Sequence, residues 1–321
     1  MDCGLYPGVV KILLESKQSP VHSTLLLDKQ DIEMSLRISG KTRVIGLLGW
    51  PVSHSLSPAM HNAAFEKAGL DFVYVCLPVK PENVGNAIQG IRSLGIAGCN
   101  VTIPHKEAVV PFLDEVSLEA QKVGAVNTIV NNEGRLAGYN TDVYGFLRSV
   151  EEKGISLQKA RVVMIGAGGV AHAIAICCGL NGAASISLTD IVPEKALALS
   201  GKIKVAVPDI EVNLVAPGSD ALMQALEKAC VVVNATPLGM KQDDPLPLTQ
   251  DQIGLVPKHA VIFDAVYHIK GTQLCLAAEK RDMTYIGGLD MLLYQGVRAF
   301  EIWTGITPDI SLMKKVLQEK N

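Results

Sequence analysis

The chain has 321 residues, of which 48% are hydrophobic and 19% are charged, and its formal net charge is -3. This length usually corresponds to two domains, and the apolar content is ample for two packed cores. A charge so close to neutral argues against a nucleic-acid or anionic-membrane partner, because either would favour a concentrated basic face.

The first predicted elements follow a stretch, residues 1–42, that differs from the rest of the chain. Apart from the run VVKILLESK, which has the length of two helical turns, this stretch is polar and aperiodic. We interpret it as an N-terminal extension, with Met34 as an alternative start of the protein.

From Arg43 onward, strand-like and helix-like segments alternate. Three apolar runs predict strands, namely RVIGLLG, DFVYVCLPV and IAGCNVTIP. Three segments have helical spacing, namely SPAMHNAAFEKAG, NVGNAIQGIRSLG and SLEAQKVG. The segment AVNTIVNNEGRLAGYN predicts a hairpin that turns at Asn132, Glu133 and Gly134. Strands that alternate with helices predict an α/β sheet with parallel pairs.

A second unit begins near Gln158. Its first segment, ARVVMIGAGGVAHAIAICCGLNG, predicts a strand, a glycine-rich turn and a helix. Three further strands are predicted at SISLTD, ACVVVNAT and AVIFDAVY, with helical segments between them. The chain then closes with two predicted helices, DMLLYQGVRAFEIWTG and PDISLMKKVLQEK.

The glycine-rich turn GAGGVA, residues 166–171, fits the G-x-G-x-x-G/A pattern and lies between a predicted strand and a predicted helix. Such glycines permit a tight turn and let the backbone approach a pyrophosphate at the helix N-terminus. Asp190 ends the next strand, where a carboxylate would bind an unmodified adenosine ribose and repel a 2′-phosphate. The sequence therefore favours NAD over NADP, with a solvent-exposed turn aspartate as the alternative interpretation.

Four stretches of the first unit carry more polar side chains than a connecting loop needs. These residues are Ser55 and Ser57 in HSLSP, Asn100, Thr102 and Lys106 in NVTIPHK, Asn127 in GAVNT, and Asn140, Thr141 and Asp142 in GYNTD. Hydroxyl and amide groups can bind the hydroxyls and the carboxylate of a polyhydroxylated acid, while a lysine and an aspartate handle a proton. The set therefore points to a polyhydroxylated carboxylic acid as the ligand.

The stretch GYNTD also precedes a helix-like run, which leaves two interpretations open. Thr141 or Asp142 would cap that helix, because a short side-chain oxygen accepts a hydrogen bond from an unpaired backbone N–H. Alternatively, Asp142 works in an active site as well as leading into the helix.

The motifs HSLSPAMHN, NVTIPHK, GAVNT, GYNTD, GAGG, NATPLGM and GGLDMLLYQG occur in this order between about Arg43 and about Thr307. The ordered set resembles the shikimate dehydrogenase family, including its quinate/shikimate members. The resemblance implies an α/β fold with a substrate-binding catalytic domain, residues 43–142 and 291–321, and a Rossmann domain, residues 143–290. The C-terminal helices would return to the first domain, and the active site would lie in the cleft between the domains.

The resemblance also implies site residues, carried over motif by motif. Lys106 and Asp142 would form the catalytic pair. The substrate-binding residues would be Ser55, Ser57, Thr102, Asn127, Asp142, Tyr267 and Gln295. The cofactor-binding residues would be Gly166, Ala167, Gly168, Gly169, Val170, Asp190, Asn234, Thr236, Gly288 and Met291.

The implied activity is reversible hydride transfer between a nicotinamide cofactor, NAD or NADP, and shikimate, as a step of chorismate and aromatic amino acid biosynthesis. Many NADP-dependent members carry Asn-Arg-Thr where this chain has Thr189, Asp190 and Ile191, so the usual arginine for a 2′-phosphate is missing. After Tyr267 the chain continues with HIKGTQL where Asn-Pro is usual.

Two alternative functions stay open. An NAD-dependent quinate/shikimate dehydrogenase of quinate catabolism has the same motifs, although Ser57 favours shikimate because quinate-preferring relatives often carry threonine there. A ligand-sensing regulatory protein on the same fold belongs to a different class, and the retention of both Lys106 and Asp142 argues against it.

The seven cysteines include no Cys-x-x-Cys pair, which argues against a metal site or a disulfide framework and favours reduced, buried thiols. No apolar run has the length of a membrane span, and the first residues lack the pattern of a secretory signal. We therefore expect a cytoplasmic protein without metal, a monomer or homodimer, whose partner is a small-molecule substrate.

Overall fold

Two six-stranded sheets organise the part of the chain that the structure describes. This computed structural model describes residues 38–241, 243–267 and 271–320. Most of the predicted N-terminal extension, including the predicted helical run VVKILLESK, therefore lies outside the described residues, as do the first residues after Tyr267.

The first sheet is mixed, with strands in the order β2-β1-β3-β5-β6-β4. Its strands are β1 (Arg43–Gly49), β2 (Phe72–Pro78), β3 (Gly98–Val101), β4 (Glu115–Val116), β5 (Thr128–Asn132) and β6 (Arg135–Tyr139). Strand β1 is parallel to β2 and β3, whereas β5 is antiparallel to both β3 and β6. Three helices belong to this part of the chain: α1 (Ser57–Lys67), α2 (Val84–Ser93) and α3 (Leu118–Val123).

The second sheet is parallel throughout, in the order β12-β11-β10-β7-β8-β9. Its strands are β7 (Arg161–Ile165), β8 (Ser185–Thr189), β9 (Glu211–Leu214), β10 (Val231–Asn234), β11 (Val261–Asp264) and β12 (Thr284–Gly287). The remaining helices are α4 (Thr141–Glu152), α5 (Gly169–Leu180), α6 (Pro193–Ala206), α7 (Asp220–Glu227), α8 (Gln250–Leu255), α9 (Gln273–Glu279), α10 (Gly288–Thr304) and α11 (Ile310–Lys320). This strand order is that of doubly wound dinucleotide-binding sheets.

Burial explains why the apolar runs form the central strands. Every residue of β10 and of β11 is buried, as expected for central strands of a parallel sheet with helices on both faces. Helix α5 has apolar residues all around and is almost wholly buried, which is typical of a helix packed on more than one side. The predicted α/β architecture is confirmed.

Helices α4 and α10 join the two sheets. Val143 and Phe146 of α4 belong to the core of the second sheet, whereas Leu293 and Val297 of α10 belong to the core of the first. The two helices approach closely at Gly145, where a Cβ would lie 2.8 Å from a backbone oxygen of α10. The predicted domain boundaries, after residues 142 and 290, fall inside these two continuous helices. None of the described helices is both long and apolar enough to cross a membrane.

Candidate active site

Several chain segments meet at one edge of the first sheet. Strands β1 and β3 end there, β5 begins there because it is antiparallel to β3, and β6 ends there before α4. Backbone hydrogen bonds also join these segments. Trp50 N donates to the Ile103 carbonyl at 3.0 Å, and Val126 N donates to the Lys106 carbonyl at 2.8 Å. Polar side chains from four separate motifs can therefore act together.

Lys106 and Asp142 form a close ion pair at this edge. Lys106 Nζ lies 2.6 Å from Asp142 Oδ2, and the two side chains are 19% and 9% exposed. The Asn127 side-chain amide donates to Asp142 Oδ1 at 2.9 Å, so both carboxylate oxygens have a donor. Attraction between charges is stronger in a poorly hydrated site than at the surface, so the lysine is held beside the carboxylate.

The orientation of the Asn127 amide follows from its backbone donor. Thr141 N donates to Asn127 Oδ1 at 2.7 Å, and a backbone N–H cannot act as an acceptor. The NH₂ group of Asn127 must therefore face Asp142. The hydroxyls of Thr128 and Thr141 donate to the same Oδ1, at 3.1 and 3.2 Å.

The N-terminus of α4 differs from the prediction. Asn140 is the N-cap, because its Oδ1 accepts a hydrogen bond from Asp142 N at 3.1 Å, while its amide donates to the Ala125 carbonyl at 2.9 Å. The prediction that Thr141 or Asp142 caps the helix is therefore wrong, since these are the first two helical residues. Asn140 caps the helix, so the Asp142 carboxylate is not needed as a cap and pairs with Lys106 instead.

Of the two predicted carboxylate-binding serines, Ser55 lies between β1 and α1, and Ser57 begins α1. The Ser55 hydroxyl accepts a hydrogen bond from Ser57 N at 3.2 Å, and Ser57 is the buried first residue of α1. Thr102 directly follows β3, and its backbone N donates to the Leu48 carbonyl of β1 at 2.8 Å. All three residues therefore follow strands that end at the edge where the ion pair lies.

Helix α10 places Met291 and Gln295 against α4. A Cβ on Gly145, three residues after Asp142, would lie 2.8 Å from the Met291 carbonyl oxygen and 2.9 Å from Gln295 Cβ. The Gln295 amide donates to the Leu292 carbonyl of its own helix at 2.8 Å. Both residues are thus brought to the helix that carries Asp142.

Tyr267 and Gly288 line a cavity of about 420 Å³, together with Asp290 and Lys314. Burial raises the pKa of Tyr267 and of Asp290, and the nearby Lys314 opposes the rise at Asp290. The residues that line this cavity do not include Lys106 or Asp142. Tyr267 and Gly288 thus line this cavity, whereas Lys106 and Asp142 do not.

The glycine-rich turn between β7 and α5 fits the diphosphate of a dinucleotide. Gly166 has a φ of +96°, and a Cβ there would lie 2.9 Å from the Ala235 backbone, so the turn needs glycine. Gly168 and Gly169 are exposed, and a Cβ on Gly169 would meet no atom within 4 Å. Helix α5 begins there without a side-chain cap, which leaves its first amides open to an anion. Ala167 is buried beneath the turn and Val170 is half-buried.

Asp190 lies beside this turn. Its carboxylate accepts hydrogen bonds from Ala167 N at 2.7 Å and from Val192 N at 2.8 Å. The residue thus fixes the turn to the end of β8. A carboxylate has about four acceptor sites, so two backbone donors leave capacity for a ligand hydroxyl.

Asn234 and Thr236 hold the turn that follows β10. The Asn234 amide donates to Asp264 Oδ1 at 2.8 Å and to the Leu238 carbonyl at 3.1 Å, and its Oδ1 accepts from the Thr236 hydroxyl at 2.7 Å. Asn234 is wholly buried, and burial also raises the pKa of Asp264. Both ends of the Asn234 amide therefore bind protein, and the side chain shapes the turn beside the glycines.

Sequence reasoning gave no role to Tyr74 and Thr128, which the structure connects to the ion pair, and it counted Asn100 only among the candidate ligand-binding groups. Asn100 carries a recognisable signal, because an amide in the buried strand β3 needs a partner. Tyr74 carries none, since an aromatic residue in a strand is usually interpreted as core.

Two segments of the chain match known domain families. Residues 47–129 match the shikimate dehydrogenase substrate binding domain, and residues 288–318 match the shikimate 5'-dehydrogenase C-terminal domain. The first segment contains the ion-pair lysine and its supporting amide, and the second consists mainly of α10 and α11.

Full-length relatives agree with these matches. The shikimate dehydrogenase (NADP(+)) of Desulforamulus reducens is 45% identical over 286 residues, which cover 88% of this chain and 97% of the relative. A crystal structure of a shikimate dehydrogenase in complex with NADP+ has a TM-score of 0.81 at 38% identity, and covers 88% of this chain and 97% of that one. The shikimate 5-dehydrogenase of Listeria monocytogenes, solved with shikimate and NAD, has a TM-score of 0.80 at 35% identity, with 88% and 98% covered.

Proposed function

The chain belongs to the shikimate dehydrogenase family, and on that premise we propose that it interconverts shikimate and 3-dehydroshikimate with a nicotinamide cofactor, a step of aromatic amino acid biosynthesis. The observation that carries the proposal is the 2.6 Å ion pair between Lys106 and Asp142, supported by Asn127. A sensor needs no such pair, and the relatives from Desulforamulus reducens and Listeria monocytogenes, both named for shikimate, do not favour the quinate alternative.

Lys106 is the proposed proton donor. As the ketone is reduced, negative charge grows on its oxygen, and an ammonium group close to that oxygen stabilises the charge and delivers the proton. In the oxidative direction the neutral amine accepts the proton. The bound nicotinamide supplies or accepts the hydride. Asp142 holds Lys106 in place and binds the neighbouring substrate hydroxyl.

The remaining polar residues are proposed to orient the substrate. Ser55 and Ser57 would donate hydroxyl hydrogen bonds to the carboxylate, with Tyr267 as a further donor from the second sheet. The ring hydroxyls would be bound by Thr102, Asn127 and Gln295. Holding the ring at several points limits its motion relative to Lys106, and such positioning lowers the barrier to reaction.

The test of this proposal is the substitution Lys106→Ala. We expect turnover of shikimate to fall roughly 10²- to 10⁴-fold, the usual contribution of a positioned proton donor. The dissociation constant of the nicotinamide cofactor, measured by fluorescence titration, should change little. The matched control is Lys122→Ala, which removes an exposed lysine of α3. Near-normal turnover of the Lys106→Ala protein would show that another group moves the proton.

We further propose that the preferred cofactor is NAD. Asp190 supports this proposal because its carboxylate lies beside the glycine turn and retains acceptor capacity for ribose hydroxyls, whereas a 2′-phosphate there would meet a like charge. The relative from Desulforamulus reducens is named for NADP(+), so this chain would differ from it in cofactor preference.

The ratio of kcat/KM for NAD to kcat/KM for NADP tests the cofactor proposal. We expect a ratio well above one in the wild type and a clear fall in Asp190→Asn, because the amide keeps the shape but removes the charge. The exposed Asp251→Asn variant is the control for the loss of one carboxylate. A wild-type ratio below one would contradict the role given to Asp190.

The cytoplasmic location and the monomeric or homodimeric state of the protein stay predictions from the sequence.

A further inference from the structure

Hydrogen bonds continue from the ion pair into the core of the first sheet. The Tyr74 hydroxyl donates to Asn100 Oδ1 at 2.8 Å, and the Asn100 amide donates to the Thr128 hydroxyl at 3.0 Å. The Thr128 hydroxyl donates to Asn127 Oδ1 at 3.1 Å, and Asn127 donates to Asp142. Every link is buried, and the chain of bonds ends at the carboxylate that holds Lys106.

Two backbone groups fix the direction of this chain of bonds. As described above, Thr141 N turns the Asn127 amide so that its NH₂ group faces Asp142. The backbone carbonyl of Asn127 accepts the Asn100 NH₂ group at 3.2 Å, which turns Asn100 Oδ1 toward Tyr74. A carbonyl oxygen cannot donate, so the Tyr74 hydroxyl has to be the donor.

The surroundings of Tyr74 hold this hydroxyl in one place. The side chain is 2% exposed, and its ring stacks on the His61 ring with centroids 4.6 Å apart. Burial raises the pKa of Tyr74 well above its ordinary value. The hydroxyl therefore keeps its proton and can donate it to Asn100 Oδ1.

We propose that Tyr74 is a positioning residue for the proton-transfer end of the site, at Asn127 and Asp142. The inference rests on the proposed function, because it deepens the account of the same site. Tyr74 touches no reacting atom. It acts on the ion pair through Asn100, Thr128 and Asn127.

The substitution Tyr74→Phe removes the hydroxyl and keeps the ring on His61. Asn100 Oδ1 then loses its donor, and a buried acceptor without a partner is costly, so the amides behind Asp142 relax. We expect kcat to fall by about ten-fold, which is the effect of roughly one lost buried hydrogen bond. KM for the nicotinamide cofactor should stay within about two-fold of the wild-type value.

The matched control is Tyr294→Phe. Tyr294 is a buried tyrosine of α10 whose hydroxyl donates to Glu152, away from the ion pair. This variant loses one tyrosine hydroxyl and one hydrogen bond, and it should keep the wild-type kcat and KM. A fall in kcat equal to that of Tyr74→Phe would mean that any lost tyrosine hydroxyl disturbs the enzyme, and would overturn the inference.

A double-mutant cycle tests the route of action. In a Thr128→Val background, Tyr74→Phe should no longer lower kcat, because the residue it acts through is gone. An effect of Tyr74→Phe that is unchanged in this background would show that the hydroxyl acts on the fold alone, and would overturn the inference.

A second pair of variants keeps the inference testable if Tyr74→Phe fails to fold. Thr128→Val removes the hydroxyl that donates to Asn127 with little change of shape, and Thr128→Ser keeps it. We expect about ten-fold lower kcat in the first and near-complete recovery in the second. Equal activity of Thr128→Val and wild type would contradict the inference. A wild-type protein that does not turn over shikimate would instead contradict the proposed function, so the two failures are distinguishable.

Discussion

The Asn127 side chain joins the start of β5 to the start of α4, which lies 14 residues further along the chain. It binds Asp142 at the start of α4, accepts from the backbone of Thr141, and receives the Thr128 hydroxyl at the start of β5. Because the backbone N–H of Thr141 can only donate, the amide has one orientation. That single orientation places an N–H donor on Asp142 and leaves the other carboxylate oxygen for Lys106.

His61 is the residue whose titration should be visible in the stability of the protein. It is fully buried, it stacks on Tyr74, and burial lowers its pKa to about 3, whereas the ordinary value is 6.5. Between these values the unfolded chain binds a proton that the folded protein does not bind. The stability present above about pH 6.5 is therefore lost progressively as pH falls toward 3.

The measurement that checks this is urea unfolding at pH 7 and pH 5, for wild type and His61→Phe. The phenylalanine ring stacks but does not titrate. Between the two pH values the free energy of unfolding should fall by about 2 kcal/mol more in the wild type than in the variant. The control is His259→Gln, which removes an exposed imidazole. Equal falls in wild type and His61→Phe would mean that His61 takes up its proton without unfolding.

Single residues of the site differ in how far the sequence could predict them. Asn127 was recognisable because an amide in an apolar strand needs a buried partner. The role of Tyr74 could not be recognised from the sequence, because its hydroxyl contacts Asn100 only when β1 lies between β2 and β3 in the sheet. In that register Leu47 is the partner of Cys76 on one side and of Asn100 on the other. No local pattern contains that pairing.

At the scale of elements, apolar runs and helical spacing were sufficient for the central strands and the longer helices. The strands RVIGLLG, DFVYVCLPV and AVIFDAVY, and the hairpin through Glu133, are confirmed. Three strands were missed, β4, β9 and β12. Strand β4 has two residues, β9 is mostly exposed at a sheet edge, and two of the four residues of β12 are exposed. Edge strands need fewer apolar residues, so they lack the signal that marks a central strand.

The helices α4 and α10 illustrate a second limit of prediction from sequence. Each was predicted as a helix, but their mutual contact at Gly145 depends on tertiary packing. The N-cap of α4 was assigned to Thr141 or Asp142, whereas it is Asn140, one residue earlier. All three residue types are good caps, so composition alone could not choose among them.

At the scale of the whole molecule, the fold brings together two kinds of site on two sheets. The first sheet presents the ion pair and the hydroxyl and amide groups at the ends of its strands. The parallel second sheet presents the glycine turn and Asp190 at the ends of β7 and β8, where doubly wound folds bind their ligands. The division into sheets followed from the order of predicted elements, whereas the approach of the two sheets through α4 and α10 required the structure.

The central claim is that the protein oxidises and reduces shikimate, and the initial rate of nicotinamide absorbance change tests it most directly. The full chain is mixed with NAD or NADP and with shikimate, and quinate at the same concentrations serves as the comparison. We expect a rate that saturates with shikimate and exceeds the rate with quinate. Binding of shikimate and cofactor without any absorbance change would contradict the account, and would leave a ligand-sensing protein on the same fold as the better explanation.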